Sequence, residues 1–385
     1  MRLRNLARVA AVSAAVALAI TGCSSGGDDE GGSSASGGDK ACDLIIGFVG
    51  PQTGDNAALG INISNGAQLA VDQYNEKNAD CKVTLKKYDS EGKPEKASTV
   101  VPEVVQDEKI IGVVGPAFSG ETKATGPTFE EAGLPIISAS ATNPALSENG
   151  WKIFHRVLGS DNAQGPQAAK YIKEDLKATK VYVVDDASEY GKGLADIVKK
   201  DLGSAVVKSQ TIQDGQTDFS AVVTDIRSSG ATAVYFGGYY DEAGLLRKQL
   251  SQAGGQAITM IAGDGVKDVK FVDGAGAAAA EGTIVTCPCL PPEKAPGTFF
   301  DDYKKAFSAD PSTYSAEAYD AATVFLDGIA DGKKTRAEML EFVNAYDKQG
   351  ITKQVKFDDK GEVADKGVWA YKFEGGKIVA LKEIK

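Results

Sequence analysis

One histidine, His155, is all the imidazole this 385-residue chain has. From residue 42 on, nothing in it reads H-E-x-x-H, G-x-S-x-G or G-x-x-x-x-G-K-[ST]. The first absence removes a zinc-protease pair, the second a nucleophile elbow, the third a loop to cradle nucleotide phosphates. "GFVGPQTG" (47–54) also lacks the G-x-G-x-x-G spacing of dinucleotide sites. Catalysis therefore has little machinery here, and no metal or organic cofactor is expected. Positive charge is scarce too, with 42 Lys plus Arg against 53 Asp plus Glu and a net charge of −11. So acidic a chain does not suggest a nucleic-acid partner. Past residue 20 no apolar run is long enough to span a bilayer.

What is present begins at the N-terminus. Arg2, Arg4 and Arg8 lead into an apolar stretch over residues 9–20, too short for a permanent span and ordered like a secretory signal. Ile20-Thr21-Gly22-Cys23 is similar to the lipobox of bacterial lipoproteins, where the signal is cut before a cysteine whose thiol carries lipid. An ordinary signal peptide with a cysteine nearby is the plainer alternative. Residues 1–22 hold three arginines and no acid, so the chain from Cys23 onward goes from −11 to −14. Apart from Ala35 and Lys40, residues 24–40 are Gly, Ser and acid, with too little apolar content to build a core. Residues 23–41 read as a lipidated tether with a reach of roughly 20–25 Å.

With Cys23 assigned to lipid, Cys42, Cys81, Cys287 and Cys289 remain, an even set for an oxidising compartment. Cys42 and Cys81 each lie just before a strand-like run. On neighbouring parallel strands they fall at the same end and could pair. For Cys287-Pro288-Cys289, a tight disulfide loop and two free thiols both stay open.

The body, roughly 345 residues, is long for one core and predicts two lobes. Apolar runs at 44–50, 83–89, 110–115 and 135–140 alternate with helical periodicity at 62–75, 95–107 and 121–132. Pro102 either kinks the second helix or marks its start. The alternation repeats with strands at 180–186, 205–212, 233–239, 258–264 and 282–287, and helices at 164–177, 190–202, 218–229 and 242–253. Three helical stretches follow, at about 296–308, 313–331 and 335–346, then β-type segments at 353–359 and 367–382 with a hairpin turn at Glu374-Gly375-Gly376. This is an α/β chain of parallel sheets covered on both faces.

Ligands of open α/β sheets sit beyond the carboxyl ends of the strands. The strands here end in "GPAFSGET", "SASAT", "DDASEYGKG", "FGGYYDEAG" and "AGDG", small, hydroxylic or acidic with a tyrosine or two. Two such rims predict a ligand cleft between the lobes.

"GPAFSGET", "PIISASAT", "SDNAQGPQAAKYI", "DASEYGKGLA", "VYFGGYYDEAG" and "GDG", in that order, resemble the periplasmic-binding-protein family of branched-chain amino acid ABC transporters (Leu/Ile/Val-binding type, periplasmic binding protein type I). The resemblance runs from about residue 43 to the C-terminus. It implies two Rossmann-like lobes with parallel sheets, joined by three crossover strands and closing by a hinge. Lobe 1 would comprise residues 42–159 and 289–366, lobe 2 residues 160–288 and 367–385. The Ser119 hydroxyl and Gly120 N–H would hold a ligand carboxylate. Ser140 would offer its carbonyl to the ammonium, beside Ala141, and Thr142 would touch both groups. Tyr239 would hydrogen-bond the ligand, Asp264 would pair with the ammonium, and Tyr190 would close over the cleft. Leu59, Phe118 and Tyr314 would shape the side-chain pocket, Leu59 where relatives often carry an aromatic residue.

The residue chemistry agrees: a desolvated zwitterion needs donors at one end, and acceptors with a negative charge at the other. Plainer roles compete, with Ser119 and Thr142 as helix caps and Asp264 as a turn residue. His155, Trp151 and Trp369 read as packing. The implied function is an extracytoplasmic, lipid-anchored, monomeric binding protein that passes a small amino acid (Leu, Ile or Val) to an ABC permease, not an enzyme. A tethered amino-acid or amide sensor is the alternative.

Overall fold

The structure is a computed structural model that describes residues 42–384. The signal, Cys23 and tether readings lie outside those residues. The first lobe begins with β1 (Leu44–Gly50), α1 (Ala57–Lys77), β2 (Val83–Asp89), α2 (Pro94–Gln106), β3 (Ile110–Val114), α3 (Ser119–Glu131), β4 (Ile136–Ser138) and β5 (Phe154–Arg156). The second follows with α4 (Asp161–Glu174), β6 (Val181–Asp185), α5 (Glu189–Leu202), β7 (Val206–Thr211), α6 (Ser220–Ser228), β8 (Ala233–Gly237), α7 (Tyr240–Gln252), β9 (Thr259–Ala262), α8 (Lys270–Ala275), α9 (Ala277–Ala280) and β10 (Ile284–Cys287). The chain returns to the first lobe for α10 (Phe299–Phe307), α11 (Ser315–Ala330), α12 (Arg336–Asn344), β11 (Asp347–Gln349) and β12 (Gln354–Lys356). It ends in the second with β13 (Val368–Glu374) and β14 (Lys377–Ile384).

The first sheet runs β2-β1-β3-β4-β5, all parallel. The second runs β14-β13-β10-β9-β8-β6-β7, parallel except for the hairpin β13–β14. The inner strands β3, β6 and β8 are buried along their whole length, as expected of Val/Ile-rich strands covered on both faces. Each fully buried Val, Ile or Phe contributes about 1.5–3 kcal/mol. α11 packs on α1 so closely that a Cβ on Gly66 would stand 2.0 Å from the Ser315 carbonyl oxygen. The β13–β14 turn at Gly375-Gly376 has φ of +57° and +75°, the left-handed pair a two-residue hairpin needs.

Some expected elements change at their edges. β4 stops at Ser138, so Ser140 and Thr142 lie on the loop beyond it. β9 stops at Ala262, and Asp264 opens a 3-10 turn. α2 starts at Pro94 and runs through Pro102, which is exposed, leaving the unbonded carbonyl four residues back to solvent. The short α8 and α9 and the exposed strand β11 carry too little periodicity to read in advance. Among the described residues no helix is long and apolar enough to cross a membrane.

Cys42 and Cys81 are bonded at the amino ends of the parallel pair β1 and β2. Cys287 and Cys289 are also bonded, buried where the chain leaves β10, which decides between the two open alternatives. Replacing both Cys42 and Cys81 by serine is expected to lower unfolding free energy by about 2–4 kcal/mol, because the bond closes a separation of 39 residues. Urea unfolding tests this, and an unchanged midpoint would contradict it. Ligand affinity should not move, since this bond lies at the opposite strand ends from the cleft.

Candidate ligand site between the lobes

Loops from both sheets meet where the strands end. From the first lobe, α3 begins at Ser119 directly after β3, two residues earlier than its periodicity predicts. The Glu121 carboxylate holds that turn, accepting from the Phe118 N–H at 2.6 Å, and burial pushes this carboxyl up to about 8. The Ser119 hydroxyl caps no helix. It accepts from the Asn143 N–H at 3.2 Å, which joins the loop after β3 to the loop after β4. In that second loop, the Ser140 hydroxyl donates to the Ala117 carbonyl at 2.5 Å, and the Ala141 N–H donates to Ser138 Oγ at 3.0 Å. The short 3-10 helix at 144–148 is capped by Asn143, not by Thr142 as its capping alternative has it. Thr142 is fully buried, with its hydroxyl beside the Asp161 carboxyl.

Arg156, also fully buried, fixes this loop from below. One guanidinium nitrogen donates to the Ala141 and Asn143 carbonyls, both at 3.0 Å. Its Nε donates to Glu362 at 3.0 Å and its other terminal nitrogen forms an ion pair with the same carboxylate. Arg156 ends β5 and Glu362 follows β12, so the pair ties two of the three chain crossings between the lobes.

The second lobe supplies the acid. Asp264 is 3 % exposed. Tyr190 Oη donates to its Oδ1 at 2.8 Å and accepts from the Gly265 N–H at 2.9 Å. Tyr314, reached from the first lobe just before α11, donates to Oδ2. Burial raises the Asp264 carboxyl above its usual range, and the Tyr314 and Tyr190 hydrogen bonds work against that rise. Tyr314 takes φ +68°, a costly conformation for a bulky residue that concentrates at ligand sites. Tyr239 stacks between Phe118 and Tyr190, with ring centroids 4.5 and 5.2 Å away.

Leu59, Phe118, Ser119, Ser140, Tyr190, Tyr239, Asp264 and Tyr314 thus border one small space of about 10 Å³. Of the expected residues, Gly120 faces outward, to a larger cavity of about 570 Å³ beyond the Phe118–Tyr239 pair. Ala141 and Thr142 contribute no surface to the small space and are fully buried, Ala141 with its carbonyl held by Arg156. The rims also meet directly. Asn143 Nδ2 donates to the Glu189 carbonyl at 2.7 Å, and Lys123 pairs with Glu189 at 2.8 Å. His155 is a core residue, bonded through its ring nitrogens to Ile153 and Asn344.

Two sheets joined by three crossings, with hydroxyls facing an acid across the gap, can now be set beside known proteins. Residues 44–377 match the sequence profile described as periplasmic binding protein. The chain belongs to the periplasmic binding protein family. It is 36 % identical over 350 residues to the Leu/Ile/Val-binding protein BraC3 of Rhizobium johnstonii, covering 88 % of this chain and 94 % of that one. A leucine-, isoleucine-, valine-, threonine- and alanine-binding protein of Pseudomonas aeruginosa is 33 % identical, with 90 % and 93 % covered. Among solved structures, the LivJ branched-chain amino acid transporter substrate-binding protein of Streptococcus pneumoniae, in complex with isoleucine, superposes with a TM-score of 0.82. It is 30 % identical and covers 89 % of this chain and all of that one. These similarities place the chain among the branched-chain amino acid ABC substrate-binding proteins, which bind solutes outside the cytoplasm and are not enzymes.

Sequence reasoning missed several polar residues that pack around this periplasmic binding protein's candidate site. Asp161 looks like an ordinary acid in the first turn of a helix. It is fully buried, and burial, then the charge on Asp264, push its carboxyl up to about 8. Arg156 stands next to His155 in an apolar run and carries no signal of its partner 206 residues later. Asn143 passes for a turn residue before proline.

Proposed function

We propose that this periplasmic binding protein captures an aliphatic amino acid (Leu, Ile or Val) between its lobes and delivers it to an ABC permease. The observation that carries the reading is that Ser119 and Ser140 on one rim border the same space as Asp264 and Tyr190 on the other, with Tyr314 reaching Asp264 from the first lobe. Hydroxyls and N–H groups hold a carboxylate without a basic residue, while Asp264 and the Ser140 carbonyl take the ammonium. Leu59, Phe118 and Tyr314 border the aliphatic end.

The space of about 10 Å³ is room for roughly one water. A ligand must therefore enter with the rims apart, and it favours closure by touching both lobes only when they meet. The lobes turn about the crossings near residues 159, 289 and 366. Cys23 carries lipid, the tether follows, and the protein works as a monomer on the outer side of the membrane.

A thermal-shift screen of the ligand-stripped protein against all amino acids, urea and short amides tests this. A clear rise in melting temperature with leucine, isoleucine or valine is the expected result. A response confined to urea or amides would leave the fold in place and discard the amino-acid assignment.

A further inference from the structure

The turn that carries Asp264 also carries a buried lysine. Lys267 is 2 % exposed, and its N–H donates to the Asp264 carbonyl at 2.9 Å. A lysine is almost never buried so completely without a firm partner. The partner here is a hydroxyl of the other lobe. Lys267 Nζ donates to Thr313 Oγ1 at 3.3 Å, and that same hydroxyl donates to the Lys267 carbonyl. Thr313 is fully buried just before Tyr314, so both bonds lie beside the one that Tyr314 makes to Asp264. From its own lobe the ammonium has the face of Tyr371, 4.2 Å from the ring centroid. That ring is fixed, because Tyr371 Oη donates to the Cys289 carbonyl at 2.8 Å. Asp268, the next residue, is 3 % exposed and reaches across as well, accepting from Asn62 Nδ2 of α1 at 3.1 Å. One turn of the second lobe thus grips both α1 and the loop before α11, the two helices that pack so closely in the first.

We propose that Lys267 is a positioning residue for capture: its ammonium, bonded to Thr313 across the cleft, latches the lobes over the ligand and sets how long the ligand stays. The inference rests on the hinged amino-acid reading above.

An ammonium carries three donors and needs acceptors. With the lobes together, Thr313 supplies one. With the lobes apart, Thr313 leaves with the first lobe, Lys267 stays beside Asp264, and water hydrates the ammonium. The latch bond belongs to the closed state alone, and an interaction made in one state shifts the population towards it. Burial pushes the Lys267 ammonium down to about 8, against the charges of Glu317, Glu293, Asp268 and Asp264, so it is still charged at pH 7. Removing its acceptor leaves a charged donor buried and unbonded, which costs more than removing both partners. The cost falls on the closed state and therefore on the rate at which ligand leaves.

The first test follows dissociation of L-leucine, L-isoleucine and L-valine by stopped-flow fluorescence at pH 7. Thr313→Val should release ligand about tenfold faster, with association changed by less than about twofold. Thr313→Ser, which keeps the hydroxyl, should restore slow release. Thr313→Val combined with Lys267→Met should release more slowly than Thr313→Val alone, because no charge is left stranded. The second test needs no variant. The unaltered protein is acetylated with sulfo-N-hydroxysuccinimide acetate and mapped by peptide mass spectrometry. Saturating ligand should slow modification of Lys267 by about tenfold or more, and leave the exposed Lys270 unchanged. Unchanged release from Thr313→Val, or equal acetylation of Lys267 with and without ligand, would overturn the inference and leave the amino-acid reading intact. If Thr313→Val fails to fold, the acetylation result decides alone. No binding of any of the three amino acids overturns that reading, and this inference with it.

Discussion

Replacing Asp264 by asparagine is expected to weaken leucine binding by at least about 30-fold, measured by calorimetry at pH 7. The magnitude follows from removing one partner of a desolvated charge pair, which costs about 2–5 kcal/mol. The tyrosines make the geometry specific. A carboxylate offers about four acceptor positions. Tyr190 and Tyr314 occupy two of them, which orients the plane and leaves the remaining lone pairs for an ammonium. Asparagine keeps the size and one acceptor but loses the charge. Tyr314→Phe should cost far less, because it removes a neutral hydroxyl and leaves the charge in place. Equal losses in the two variants would mean that Asp264 acts only as a structural link between the lobes.

Arg156→Met is expected to destabilise the protein by about 3–5 kcal/mol in urea unfolding, since it strands the Glu362 carboxylate in the interior. The double change Arg156→Met with Glu362→Met should cost less than the single one, because no uncompensated charge is left buried. Affinity should fall in both. The guanidinium also holds the Ala141 and Asn143 carbonyls, and the loop between them carries Thr142. Arg156→Lys should not restore binding, because an ammonium cannot reproduce the planar fork that spans two carbonyls and a carboxylate. A single variant within 1 kcal/mol of the unaltered protein would refute the assignment.

Much of this was legible in the chain. Parallel strands buried on both faces read as short apolar runs, and the helices between them show their own period. The rule that α/β sheets bind ligands beyond their strand ends then points to the loops after them, and the family resemblance picks out Ser119, Ser140, Thr142, Tyr239 and Asp264 within those loops. Boundaries were less legible. "PIISAS" gives no sign that β4 ends after Ser138, because that boundary is set by the Ser138 hydroxyl bonding the Pro116 carbonyl and the Ala141 N–H.

By itself, the sequence determined the α/β class, the alternation into two lobes, the acidic surface charge and the hydroxyl-rich strand ends. Each is written in local pattern or composition. Only the tertiary structure decided that Tyr314 reaches Asp264 from 50 residues away, that Arg156 finds Glu362, and that Asp161 is fully buried. Burial and partnership depend on which distant segments fold together. An acid at a helix start looks the same in the sequence whether it faces water or the protein interior.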